Sequence, residues 1–175
     1  VNESFFKSLT GLENSKVTVY ADNETIIDGG EFAKLSSVED SIWYQELEKT
    51  EEDIMVLFFY DDWKSPYVQP KRKIVFARRL DFMNKDACKK VLKIEIDYSS
   101  VVNKFTSMKY EMPIYICQNG RVILTNEGTN NASQDFIMFD QYDQVAHTKT
   151  ITLYDEELQI YIMKGKSRIS VWDIV

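Results

Sequence analysis

Cys88, Cys117 and His147 are the only thiol and imidazole groups in this 175-residue chain, and their scarcity bounds its chemistry. A zinc site of mixed cysteine and histidine ligands needs four donors. One imidazole and two thiols fall short of that. A serine–histidine–aspartate triad would have to run through His147, yet no Gly-x-Ser-x-Gly elbow presents a nucleophile. The six glycines form neither a Gly-x-Gly-x-x-Gly turn nor a Gly-x-x-x-x-Gly-Lys phosphate loop. Cys88 and Cys117 can be read as small buried hydrophobes, as one structural disulfide, or, through Cys117 alone, as a redox centre. His147 reads as a surface or packing histidine. The expectation is a protein that is not an enzyme and that needs no metal and no cofactor.

Charge is the second chemical signal. The chain carries a net −7, which disfavours nonspecific nucleic-acid binding. The charge is unevenly placed. Residues 39–62 hold nine acids against Lys49, and residues 71–93 hold nine bases against Asp81 and Asp86. Lys71, Arg72, Lys73, Arg78, Arg79, Lys89 and Lys90 are the candidates for a basic face that meets an acidic partner or phosphates, or that is simply solvated. No Asp-x-Asp-x-Asp-Gly loop defines a calcium site in the acidic stretch.

Asn2, Asn23 and Asn131 each open an Asn-x-Ser/Thr sequon. About one would arise by chance in a chain of this composition, so the excess points to the secretory pathway and, most specifically, to a glycoprotein of the endoplasmic reticulum lumen. A cytoplasmic chain with unused sequons is the alternative. The first residue is Val1, which suggests a processed protein or part of a longer one. The longest apolar run, Ile54–Tyr60, is far too short to span a bilayer, so this segment is not expected to insert in a membrane. Hydrophobic residues make up 44% of the chain, enough for a sizeable core.

These groups need elements to position them. Lys16–Tyr20 alternates as a strand. Ser36-Ser37-Val38-Glu39 reads as a capping box for a helix to about Lys49, with Val38, Ile42, Leu47 and either Trp43 or Tyr44 inward. Asp53–Tyr60 reads as a central strand buried on both faces. Pro70 opens a segment in which Phe76, Leu80, Met83, Ala87 and Val91 recur at helical spacing, predicting a long basic helix. Val91–Ile96 is the next strand, Ser99–Tyr110 a helix, and Pro113–Cys117 and Arg121–Leu124 two strands joined at Asn119-Gly120. Asn131 or Ser133 would cap a helix to Tyr142. Thr150–Tyr154, Leu158–Met163 and Arg168–Val175 read as a β-meander.

That order, together with Phe58-Phe59-Tyr60-Asp61-Asp62-Trp63-Lys64-Ser65-Pro66-Tyr67, Ile96-Asp97, Met112-Pro113 and Gln118-Asn119-Gly120-Arg121, resembles the thioredoxin-like superfamily over about residues 54–128. The likeness is to redox-inactive domains of the protein disulfide isomerase family. It implies an α/β fold, a thioredoxin-like three-layer α/β/α sandwich in residues 1–147, with an N-terminal βα unit at 16–50 and the meander of 148–175 as an extension. It also implies a cis-proline at Pro113. Lys64 and Tyr67 stand where the family's dithiol would be, and lysine cannot exchange disulfides.

The resemblance therefore implies a chaperone-like binding module for a polypeptide or protein partner. Trp63, Lys64, Ser65, Pro66, Tyr67, Met112 and Pro113 are its candidate contacts, the last two by strand addition. The rival expectations are an assembly subunit that uses the meander and the basic helix as interfaces, and a single-cysteine redox protein.

Overall fold

The computed structural model describes residues 15–22, 31–62, 69–80, 88–128 and 130–165. Nine strands and two α-helices follow in the order β1 (Ser15–Ala21), β2 (Phe32–Lys34), α1 (Ile42–Lys49), β3 (Ile54–Asp61), β4 (Lys71–Arg79), β5 (Lys90–Asp97), α2 (Tyr98–Ser107), β6 (Ile114–Gln118), β7 (Arg121–Thr125), β8 (Val145–Leu153) and β9 (Glu156–Met163). They form two sheets. Sheet I has the order β2-β1-β5-β4-β3, and sheet II the order β7-β6-β9-β8. Every pairing is antiparallel except the short one between β1 and β2.

This is not a thioredoxin-like α/β/α sandwich. The decisive correction lies in residues 71–79. The expected basic helix is strand β4, paired with β3 from Asp61↔Lys71 to Ile54↔Arg78 and with β5 from Lys73↔Asp97 to Arg79↔Val91. Both faces of β4 are covered, so its middle reads Ile74-Val75-Phe76-Ala77 with no polar alternation. A continuous apolar run of that kind does not distinguish strand from helix. Two further expectations fall with it. β3 is an edge strand, not a central one, and β6 and β7 join β8 and β9 in a separate sheet.

Alternation on β4 sets the layers. Val75 and Ala77 point to a first core with Tyr20, Met55, Phe59 and Val91, which α1 closes with Trp43, Tyr44 and Leu47. Arg72, Ile74 and Phe76 point the other way. Ile74 and Phe76 meet Ile94, Ile96 and Tyr98, then Ile123, Phe136 and Leu158 from sheet II and its flank. The far face of sheet II carries a third cluster of Tyr115, Cys117, Val122, Phe139 and Met163, where the Phe139 and Tyr161 rings stack 4.6 Å apart.

Local signals explain the helices. The Asp97 side chain accepts from the Ser100 N–H at 2.8 Å and caps α2. The first turn expected at Ser36–Glu39 is a 3-10 turn over Leu35–Ser37, and α1 begins later, at Ile42. Its C-terminal end is closed by β4: the Arg79 guanidinium donates to the Leu47 carbonyl, to that of Thr50 at 2.9 Å and to that of Glu52 at 2.5 Å. A cation there satisfies orphan carbonyls and complements the helix dipole. The Asn119-Gly120 turn is as expected, with φ of +50° and +75°. A side chain at Gly120 would also press on Met138, whose Cε lies 3.1 Å from the position a Cβ would take. The helix expected from Asn131 or Ser133 to Tyr142 is absent. That stretch opens with a turn in which the Gln134 N–H donates to the Asn131 carbonyl and then runs along β7, with the Val122 N–H donating to the Ile137 carbonyl and the Phe139 N–H to that of Gly120.

Arg79→Ala leaves the last carbonyls of α1 without a cation. Urea unfolding is expected to show a loss of about 1–3 kcal/mol, with Arg79→Lys recovering part of it.

Candidate functional site

β4 presents its charges to two different environments. On the face toward α1, the Lys73 ammonium lies 2.7 Å from Asp61 and 3.5 Å from Glu95, and Lys93 lies 2.9 Å from Glu95. Lys93 also sits 5.1 Å from the centre of the Trp43 ring. Burial pushes the Lys73 ammonium down, but Asp61 and Glu95 outweigh it and hold its pKa above the usual lysine value. Burial pushes Glu95 up, and Lys93 and Lys73 bring it below the usual carboxylate range. The four charges form an alternating ladder across β3, β4 and β5.

On the opposite face, Arg72 joins sheet I to the segment beyond sheet II. Its Nε donates to the Gln134 carbonyl at 2.7 Å, and its terminal nitrogens donate to the Tyr98 hydroxyl and the Asp135 carbonyl, both at 2.9 Å. Its backbone N–H donates to the Ala132 carbonyl at 2.7 Å. The guanidinium lies 4.6 Å from the Phe136 ring centre and 5.3 Å from that of Tyr98. Burial raises the Tyr98 phenol above its usual pKa, and the phenol donates to the Ile123 carbonyl at 2.9 Å. Arg72 is thus a clasp between the layers.

The basic residues expected on one helix face are therefore dispersed. Lys71 is exposed at the start of β4, Arg72 is buried, Lys73 is in the ladder, Arg78 is exposed and Arg79 caps α1. Lys90 is exposed at the start of β5, and the exposed Lys89 reaches Glu48 at 3.5 Å.

Trp63, Lys64, Ser65, Pro66 and Tyr67 lie outside the described residues, as do Asn2 and Asn23. The Met112-Pro113 peptide is trans. The Met112 carbonyl accepts from the Asn126 side chain at 2.9 Å and the Pro113 carbonyl from the Met163 N–H at 3.0 Å, so these two carbonyls are already used within the chain. Asn131 is exposed, and its side-chain oxygen accepts from the Ser133 N–H. His147 is exposed on β8. Cys117 is fully buried, and burial pushes its thiol up to about 12. Cys88 is partly exposed, and its hydrogen bond to the Asp22 carboxylate raises its thiol pKa. Both thiols are free, and among the described residues no group of three or more histidine, cysteine or acidic side chains could hold a metal ion.

The open edge of β3 is the feature that residue patterns did not mark. Among the described residues, β3 pairs with β4 alone. The Arg79 N–H donates to the Asp53 carbonyl, so odd-numbered residues of β3 turn their backbone groups toward β4 and Phe58 and Tyr60 turn theirs outward. They open on a groove of about 400 Å³ between α1 and the β6–β7 turn. Leu57, Phe58, Phe59, Ile123 and Phe136 make its apolar floor. Its rim is charged: Glu46 pairs with Lys49 at 2.5 Å, Arg121 lies 3.8 Å from Asp135, and Gln118 donates to Glu156 at 2.7 Å. Finding this edge requires the strand order. In the sequence, the clue is only the apolar run Ile54–Tyr60, which a central strand would show equally well. No protein-family model and no curated protein sequence matches the chain.

Two measurements check these environments. Alkylation of the folded protein at neutral pH is expected to label Cys88 and to spare Cys117, which reacts only as the chain unfolds; prompt labelling of Cys117 would contradict its burial. Glu95 has a lowered folded pKa, so its stabilisation is complete above the unfolded value near ~4.3 and is lost as pH falls through the folded value. Glu95→Gln is therefore expected to lower stability at pH 7 and to flatten the acid limb of a stability–pH curve.

Proposed function

We propose that this chain is a noncatalytic recognition module that captures an extended polypeptide along the open edge of β3. The observation that carries this reading is the outward-facing backbone of Phe58 and Tyr60 at the floor of an apolar groove. An incoming strand would hydrogen-bond to that edge and extend sheet I by strand addition. Its side chains would alternate between the Ile42–Leu57 wall and the Phe58–Phe136 wall, which selects alternating apolar residues. The accessible stretch, Leu57–Tyr60, matches about four residues of strand at ~3.3 Å each. Native edge strands are usually blunted by lysine, proline or a bulge. β3 carries none of these between Ile54 and Tyr60.

This reading keeps a polypeptide as the partner and moves the contact away from Met112-Pro113. The argument that Lys64 and Tyr67 replace a dithiol no longer supports it, because that argument assumed the thioredoxin-like frame. A place in the secretory pathway is part of the proposal and rests on the sequons, of which Asn131 is exposed; a glycan on Asn131 in the native protein would support it. The assembly-subunit alternative is favoured by one observation: β8 is a nine-residue strand, largely exposed and paired, among the described residues, only with β9.

The two separate in a titration with a labelled hexapeptide of alternating valine and threonine ended by lysine. Saturable binding is expected, with changes in the NMR signals of Phe58 and Tyr60. N-methylation of the amides that would face β3 is expected to weaken binding about tenfold or more, the equivalent of one or two lost hydrogen bonds. Equal binding by the methylated peptide, or signal changes confined to β8, would overturn the proposal.

A further inference from the structure

Arg72 is 4% exposed, yet among the described residues no carboxylate lies within ion-pair distance of it. The contrast with its neighbours is direct. Lys73 has both Asp61 and Glu95, and Lys93 has Glu95. Arg72 has a phenol, two backbone carbonyls and two aromatic faces, all neutral. A guanidinium carries five N–H donors, one on Nε and two on each terminal nitrogen. Those three bonds use one donor on each nitrogen. One N–H therefore remains on each terminal nitrogen. A buried cation with only neutral acceptors is held at a cost that an anion would relieve.

The cation borders a second cleft, of about 580 Å³, walled by β6, β7 and the loop after β7. That loop is fixed by its own hydrogen bonds. The Asn130 side chain accepts from the Thr125 N–H at 3.1 Å and donates to the Thr125 carbonyl at 2.5 Å. The Asn126 side chain accepts from the Ile114 N–H at 2.7 Å. Val122 and Ile137 supply apolar wall, and Glu127, Gln141 and Thr125 surround the Tyr115 hydroxyl.

We propose that this cleft binds a small monocarboxylate, its carboxylate seated on Arg72 and its apolar body against Val122 and Ile137. A planar guanidinium with a donor left on each terminal nitrogen suits the two oxygens of a carboxylate better than a single carbonyl. The Glu127 carboxylate elsewhere in the cleft repels a second negative charge, so dicarboxylates are discriminated against. The site lies between Arg72 of β4 and sheet II with its flank, and it shares no lining residue with the groove beside β3, so it stands or falls independently of peptide capture.

The test is an NMR titration of the intact protein with benzoate, its neutral isostere benzamide and the dianion terephthalate. Benzoate is expected to give saturable shifts at the Arg72 Nε–H and at the amides of Thr125 and Asn130. Benzamide and terephthalate are each expected to bind about tenfold more weakly or worse, with Glu127→Gln restoring terephthalate. Arg72→Ala would break the clasp as well as the site, so Ile137→Trp serves as the blocking variant: Ile137 is 61% exposed, and a larger ring there narrows the cleft without touching the clasp. Folded Ile137→Trp protein is expected to lose the benzoate shifts. Benzamide binding as well as benzoate, or benzoate shifts unchanged by Ile137→Trp, would overturn the proposal.

Discussion

The architecture depends on one guanidinium. Arg72 leaves the start of β4, lies over the Tyr98 and Phe136 rings, and ends on the carbonyls of residues 134 and 135. Tyr98 passes the connection on to Ile123 in β7. Through these contacts the second core is closed on one side by sheet I and on the other by sheet II and its flanking segment. The carbonyls and the phenol fix the guanidinium in place but leave its charge without a counter-ion.

Residues one apart on β4 thus play opposite roles. Lys73 belongs to a ladder whose charges cancel locally, while Arg72 is left positive between the layers. The same period of two distributes the apolar side chains, giving Val75 and Ala77 to one core and Ile74 and Phe76 to the other. Sheet I consequently has no solvated face over β4, and β3 forms one of its two edges.

Much of the local structure was legible in the sequence. Strand β5, helix α2 and the β6–β7 hairpin carry strong local signals: alternation at Val91–Ile96, a capping Asp97, and Asn119-Gly120 at positive φ. What misled was the stripe Phe76, Leu80, Met83, Ala87 and Val91. The spacing is helical, but Phe76 and Val91 sit on different strands and face different cores. The stretch 131–141, a turn followed by an extended course, was illegible for a different reason. It is shaped by partners far away in the chain, Arg72 and the edge of β7, and its own residues favour a cap and a helix as readily as an extended course. Arg72 stood among the candidate residues, but as a member of a basic surface; nothing local distinguishes it from Lys71 or Lys73. The groove beside β3 depends on which strand is outermost, a property of topology that no short pattern encodes.

The strand order of sheet I also sets a sequence in time. β3 and β4 form a hairpin from neighbouring segments, whereas β1 must find β5 in the register Ser15↔Ile96, 81 residues away. Closing so long a loop costs chain entropy before any contact rewards it. The β3–β4 hairpin is therefore the natural early structure, with β5 docking on it and β1 completing the sheet last. Until the clasp from Arg72 reaches residues 134 and 135, the Ile74–Phe76 face of that hairpin lacks the cover that Phe136 and Leu158 supply. A nascent chain stalled before residue 132 would leave part of this face exposed, and it is there that a folding assistant would find the most to hold.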